Sequence, residues 1–260
     1  MAKFMTLFNY LQIGPPALPV LEEGWPDNTA NRMPSYDDID QIGVWNDFNL
    51  DTILHRHGQF LTEIQIEHDP MPTSPPPPVT SEIGLRHRAA FFLEARVRRA
   101  LRRSFEQLAA GGGLDTRTVV SFGEGELAWA PNNSVPDFAY FATNQPASAR
   151  PNRAPGELKP SFKWSSTQRN SPSARCQREF RQALSELNWY MRQNNAHYGF
   201  ILTDRELVTI RRVDNSRRLE LSESIPWAAA GSAAQPRLTV PLALWYLGML
   251  ASDDELWKFQ

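Results

Sequence analysis

A mixed α/β domain built around one sheet is the fold class that this chain of 260 residues predicts. Three observations carry that expectation. Helix-period and strand-like segments alternate from residue 81 onward in the order α-β-β-β-α-β-β-α. That order suits a layered α/β domain better than a helical bundle or a sandwich. Finally, 41% of the residues are hydrophobic and 22% charged, enough apolar surface to close one core.

The first helix is expected over 81–109, "SEIGLRHRAAFFLEARVRRALRRSFEQLA". Leu93, Val97, Leu101, Phe105 and Leu108 recur at spacings of three and four, Ser81 is a suitable N-cap, and the glycines at 111–113 end the run. Three strands follow in "TRTVVSFGEGELAWA", with a bend at Gly123–Gly125, "VPDFAYFA" and "GELKPSFKW", the last two joined by "TNQPASARPNRAP". "SARCQREFRQALSELNWYMRQNN" predicts the second helix, with Phe180, Leu184, Leu187 and Met191 on its buried stripe. "AHYGFILT" and "RELVTIRRV" read as a strand pair turning at Asp204-Arg205, and "LTVPLALWYLGMLASDDELWKF" as a last, largely buried helix.

Residues 1–78 differ from the rest. They hold turn clusters such as "GWPDNTANRMPSYDD" and end in "DPMPTSPPPP", which reads as an extended linker because proline cannot continue a helix or a central strand. This part is expected to be an extension, partly disordered or packed on the core, ahead of a domain over 79–260. Within it, Ile53, Leu54, Leu61 and Ile64 have helical spacing. The apolar stretches at either end fall short of a signal peptide and of the ~20 residues of a membrane helix, so a soluble protein without a membrane partner is expected. Cys176 is the single cysteine, which excludes an internal disulfide and a multi-cysteine zinc site and fits an intracellular place, nucleus or cytoplasm. With 27 basic against 29 acidic residues, overall charge neither favours nor excludes a nucleic-acid partner.

Chemistry concentrates in the pair of strands around 136–159. Glu157 and Lys159 are two residues apart and so share one face of a strand, and Asp137 opens the neighbouring strand. Two converging carboxylates repel unless a cation lies between them, and hard oxygen ligands suit Mg²⁺ or Mn²⁺. A lysine beside such a cation can orient or deprotonate a water. By spacing alone the same residues also suit an ordinary hairpin with surface charges.

Pro136-Asp137 followed by Glu157-Leu158-Lys159, set between two helices, resembles the PD-(D/E)XK nuclease superfamily. "VPDFAYF", "GELKPSFKW", "YMRQNNAHYGFILTDRELVTIRRV" and "LTVPLALWYLGMLA" are similar to a fungal group within it, over about residues 80–250. The resemblance implies a restriction-endonuclease-like αβββαβ core with an additional C-terminal helix. It implies a metal-dependent nuclease hydrolysing phosphodiester bonds in DNA or RNA, with Asp137 and Glu157 as metal ligands and Lys159 as the catalytic lysine. Glu82 is the chosen first-helix carboxylate. Relatives carry a Q-x-x-x-Y pair on the second helix; here Glu186 stands at the glutamine position, Tyr190 fits, and Gln182 lies one turn earlier on the same face. Glu186 leaves open a fold kept as an inactive nucleic-acid-binding or protein-interaction module. A homodimer is also compatible with the superfamily.

Seven arginines between Arg86 and Arg103 make the first helix a basic surface in this reading, and Arg86, Arg175 and Arg178 are the candidate contacts to a nucleic-acid backbone. A solvated charged face is the alternative. Glu94 and Glu106 are expected as solvated partners of those arginines, with Glu124 and Glu126 as weaker site candidates. His55, His57 and His68 lack a zinc spacing and are expected at the surface; Trp164, Trp189 and Trp245 are expected in the core.

Overall fold

Strand parity organises the molecule. The computed structural model describes residues 3–20, 39–130, 134–214 and 217–259. In chain order it contains β1 (Phe4–Thr6), α1 (Leu7–Leu11), β2 (Gln41–Val44), α2 (Leu50–Glu63), β3 (Gln65–Glu67), α3 (Glu82–Ala89) and α4 (Ala95–Ala110). Then come β4 (Val120–Glu124), β5 (Phe138–Ala142), β6 (Gly156–Leu158), α5 (Ala174–Gln193), β7 (Tyr198–Leu202), β8 (Glu206–Arg212), β9 (Arg218–Leu221), β10 (Ile225–Pro226) and α6 (Val240–Ser252). The main sheet has eight strands in the order β2-β9-β8-β7-β6-β5-β4, with β10 paired to β8. It is mixed: β4, β5 and β6 run antiparallel to one another in turn, while β6 and β7 are parallel. Parallel neighbours require a long crossover, and α5 supplies it.

Alternate residues feed opposite layers. Phe200 and Leu202 of β7 join the cluster containing α1, α4 and α6, whereas Ile201 joins Trp164, Phe180, Leu184, Leu187 and Met191 on the α5 side. Every residue of α6 is buried, as an all-apolar helix requires. It is locked by Trp245 donating to Ser104 at 2.9 Å and by the Tyr140 hydroxyl donating to the Leu244 carbonyl at 2.6 Å. Helices therefore flank the sheet on both faces. No helix among the described residues is long and apolar enough to cross a membrane.

Described segments before residue 78 pack into this body. β2 adds a parallel edge strand beside β9, and Leu7, Tyr10, Leu11, Ile53 and Leu61 belong to the α4–α6 cluster. The stretch "GWPDNTANRMPSYDD" lies wholly outside the described residues.

Several expectations need correction. The first helix is not one continuous α-helix: a π-helical turn at Ala90–Glu94 interrupts it. The strand expected over "GELKPSFKW" stops at Leu158, because Pro160 cannot donate to the ladder and opens a turn. The basic face is largely neutralised. Arg98 pairs with Glu94, Arg99 with Glu67 and Asp69, and Arg103 with Glu106, while Arg96 is buried and donates to the Tyr10 and Asp69 carbonyls. Glu94 is buried rather than solvated, and burial raises its carboxyl against the opposing pull of Arg98. His57 is half-buried, edge-on to Trp245 and Tyr246; burial, with Arg117 and Arg56 nearby, lowers it to about 4 and keeps it neutral. Trp164 and Trp245 are fully buried, but Trp189 is only half-buried.

Candidate active site

Four elements converge on a polar cavity of about 230 Å³. The antiparallel pairing of Phe138 with Gly156 sets Asp137 and Glu157 opposite each other at the ends of β5 and β6. Leu158 joins the α4–α6 cluster, so parity turns Glu157 and Lys159 to the α5 side. There α5 presents Gln182, Glu186 and Tyr190, spaced four apart on one helical face. Glu82, in the first turn of α3 behind its Ser81 cap, closes the rim.

Gly156 makes the β6–β7 approach possible. A Cβ there would lie 2.0 Å from the Phe200 ring, so only glycine lets that ring cross the strand directly beside the site.

Both oxygens of Asp137 are engaged. One accepts from the Arg86 guanidinium, the other from the Leu158 amide at 2.7 Å. Glu157 is 5% exposed, and one of its oxygens accepts from the Lys159 ammonium at 2.9 Å. The other, Oε2, is buried and has no hydrogen-bond partner among the described residues. Lys159 also meets Glu186 at 2.9 Å, so its ammonium bridges two carboxylates. Lys163 lies 3.6 Å from Glu82. Among the described residues, four carboxyl groups thus face three cations, Lys159, Lys163 and Arg86.

Proton affinities follow from that crowding. Burial raises the Glu157 carboxyl from its ordinary 4.5 to about 7; Lys159 opposes the rise and Glu186 adds to it. Burial acts to lower the Lys159 ammonium, but the Glu157 and Glu186 carboxylates outweigh it and hold the group above its ordinary value. Lys159 therefore stays a cation through neutral pH. In this arrangement it donates hydrogen bonds and positive charge; it does not take up a proton. Burial also raises the Tyr190 phenol, reinforced by Glu157 and Glu186, so Tyr190 remains neutral.

Of the residues singled out from sequence, Glu82, Asp137, Glu157, Lys159, Gln182, Glu186 and Tyr190 line this one cavity. Arg86 stands at its edge on Asp137. Arg175 and Arg178 are exposed near the start of α5 and do not line it; nor do Glu124 and Glu126. Sequence reasoning missed two contributors. Lys163 lines the cavity, and its signal was a second lysine in "KPSFKW". Asp204, the last residue of "YGFILTD", is buried and accepts from the Ser161 amide at 2.7 Å and the Ser161 hydroxyl at 2.6 Å. It thereby pins the chain just beyond Lys159.

Comparison with protein-family models, with curated proteins and with solved structures returned no match. Among the described residues, no three or more His, Cys, Asp and Glu side chains form a group that could hold a metal ion. An all-protein cage of the zinc or calcium kind is therefore not preformed there.

Proposed function

We propose that the chain is a Mg²⁺- or Mn²⁺-dependent nuclease of the PD-(D/E)XK class, hydrolysing phosphodiester bonds in DNA or RNA. The observation that carries this reading is the buried Glu157 Oε2, without a partner among the described residues, beside the opposed Asp137 carboxylate and Lys159. A buried carboxylate oxygen is costly unless something pairs with it. Support also comes from the succession helix, three antiparallel strands, crossover helix and parallel strand, the order that the superfamily resemblance implies.

The donor set fits Mg²⁺ better than a caged metal. Magnesium is commonly held by one or two carboxylates, with waters and substrate phosphate completing the shell. Asp137 and Glu157 would hold it, Asp137 releasing Arg86, and Glu82 would stand at the rim as a further carboxylate. Bound there, the ion supplies Lewis-acid stabilisation of phosphate charge and a water of lowered pKa. The chain's own part is to orient that water through the Lys159 ammonium, which two carboxylates keep charged, and to hold the reacting groups in a polar recess.

One observation favours a second reading. Every cation and carboxylate of the cavity except Glu157 Oε2 is already matched within the protein, as befits a non-catalytic module that retains the fold. Cleavage of single- and double-stranded DNA and RNA with Mg²⁺ and Mn²⁺ separates the two. The nuclease reading expects Asp137→Ala and Lys159→Ala each to lower turnover by about 100-fold or more while circular dichroism stays native. Activity that survives both substitutions, or calorimetry detecting no Mn²⁺ binding, would sink it in favour of the module.

A further inference from the structure

The chain just after Lys159 is fixed at both ends. Asp204 clamps Ser161 by two hydrogen bonds. Three residues on, Trp164 is fully buried, stacked on Phe180 with centroids 5.7 Å apart, and its indole N–H donates to the Phe180 carbonyl at 3.3 Å. The Lys163 and Trp164 amides both donate to the Pro160 carbonyl, at 2.8 and 3.1 Å. A turn so held has little freedom, and it delivers the Lys163 side chain to the wall of the cavity.

The two lysines of the cavity differ in their engagement. Lys159 sits 2.9 Å from both Glu157 and Glu186, which take two of its three N–H donors and leave one for a water. Among the described residues the acidic partner of Lys163 is Glu82, at 3.6 Å, beyond good hydrogen-bonding range, and Glu82 is itself partly open to solvent. An arriving oxyanion would exchange for Glu82 at little cost, because the displaced carboxylate has water available. The cavity, at about 230 Å³, has room for a phosphate group and a few waters, each water taking about 30 Å³. Tyr190 lines the same space and carries a second donor, its hydroxyl.

We propose that Lys163 is the phosphate seat of this site: its ammonium receives a non-bridging oxygen of the substrate, with Glu82 holding its place until then. The assignment rests on the phosphodiester reading above and divides the work between two lysines. Lys159 belongs to the carboxylates and the water; Lys163 belongs to the substrate.

The test measures binding of fluorescein-labelled single-stranded and duplex oligonucleotides in chelator across a salt series. Wild type is compared with Lys163→Ala, Lys163→Arg and Glu82→Gln, and urea unfolding of each is recorded. Lys163→Ala is expected to weaken binding of all sequences alike and to reduce the slope of log affinity against log salt by about 1. Lys163→Arg should restore the slope, and Glu82→Gln should tighten binding by removing the competing carboxylate. A wild type that binds, beside a Lys163→Ala variant of unchanged affinity and slope, overturns the seat and leaves the nuclease reading standing. The seat is overturned equally if the variants shift only the urea midpoint, since the Lys163–Glu82 pair is then a structural brace. A wild type that neither binds nor cleaves any of the oligonucleotides removes the underlying reading, and the seat with it.

Discussion

Glu157→Gln should stabilise the metal-free protein at alkaline pH, the reverse of what removing an ion-paired residue usually does. The folded chain raises this carboxyl from 4.5 to about 7, chiefly by burial. A group whose folded value lies above its unfolded one contributes stability below the unfolded value, and that contribution disappears as pH rises through the folded value. Here the window is pH 4.5 to about 7. At about 1.4 kcal/mol for each tenfold change in proton affinity, the ionised Glu157 costs the fold about 3 kcal/mol above that window. Glutamine copies the shape of the protonated acid and still offers an oxygen to Lys159, which keeps Glu186 at 2.9 Å.

The assay is thermal and urea unfolding of wild type and Glu157→Gln in chelator, from pH 4.5 to 8.5. The variant should exceed wild type by up to about 3 kcal/mol at pH 8, roughly 6 °C for a chain of this size. The gap should close toward pH 4.5. Mn²⁺ at a hundredfold excess over its dissociation constant should then add about 2.7 kcal/mol to wild type and little to the variant. A variant less stable than wild type at pH 8, by a margin that does not change with pH, would refute the reasoning. It would mean that the Glu157–Lys159 attraction outweighs desolvation.

Two further outcomes follow from the surroundings of the site. Gly156→Ala places a methyl group 2.0 Å from the Phe200 ring and should cost about 1–3 kcal/mol in urea unfolding or prevent soluble expression; a neutral result would mean that the ring swings aside freely. Asp204→Ala leaves the Ser161 amide and hydroxyl without their acceptor and should cost about 1–3 kcal/mol of stability, with a fall in turnover larger than the loss of folded protein explains; unchanged turnover would remove its role in placing the Lys159 segment.

Local pattern makes much of this molecule legible, and non-local pairing hides the rest. The i, i+2 rule places Glu157 and Lys159 together, and the strand order brings Asp137 opposite them, because both depend on short stretches of chain. Four-residue spacing on α5 likewise groups Gln182, Glu186 and Tyr190. By contrast, β2 pairs with β9 across most of the chain's length, and nothing within "QIGV" marks that partner. His57 has the look of a surface residue since Trp245 and Tyr246, which cover it, lie far along the sequence. Lys163 escapes notice because "GELKPSFKW" reads as one strand to its end, although Pro160 is the cue that it must turn. The arginine run reads as charge awaiting an external partner, but acidic residues near β3, distant in sequence, meet part of it.

The π-helical turn at Ala90–Glu94 separates two alignments within one rod. Each residue of an α-helix advances the side chain by about 100°, so the faces of a long helix are normally tied to one another along its length. One wide turn absorbs an extra residue and breaks that tie. Upstream, Glu82 and Arg86 address the cavity and Asp137; downstream, Val97, Leu101 and Phe105 address the apolar cluster. The wide turn acts as a phase joint: removing one residue from it would swing Glu82 and Arg86 off the cavity while leaving the core stripe where it is.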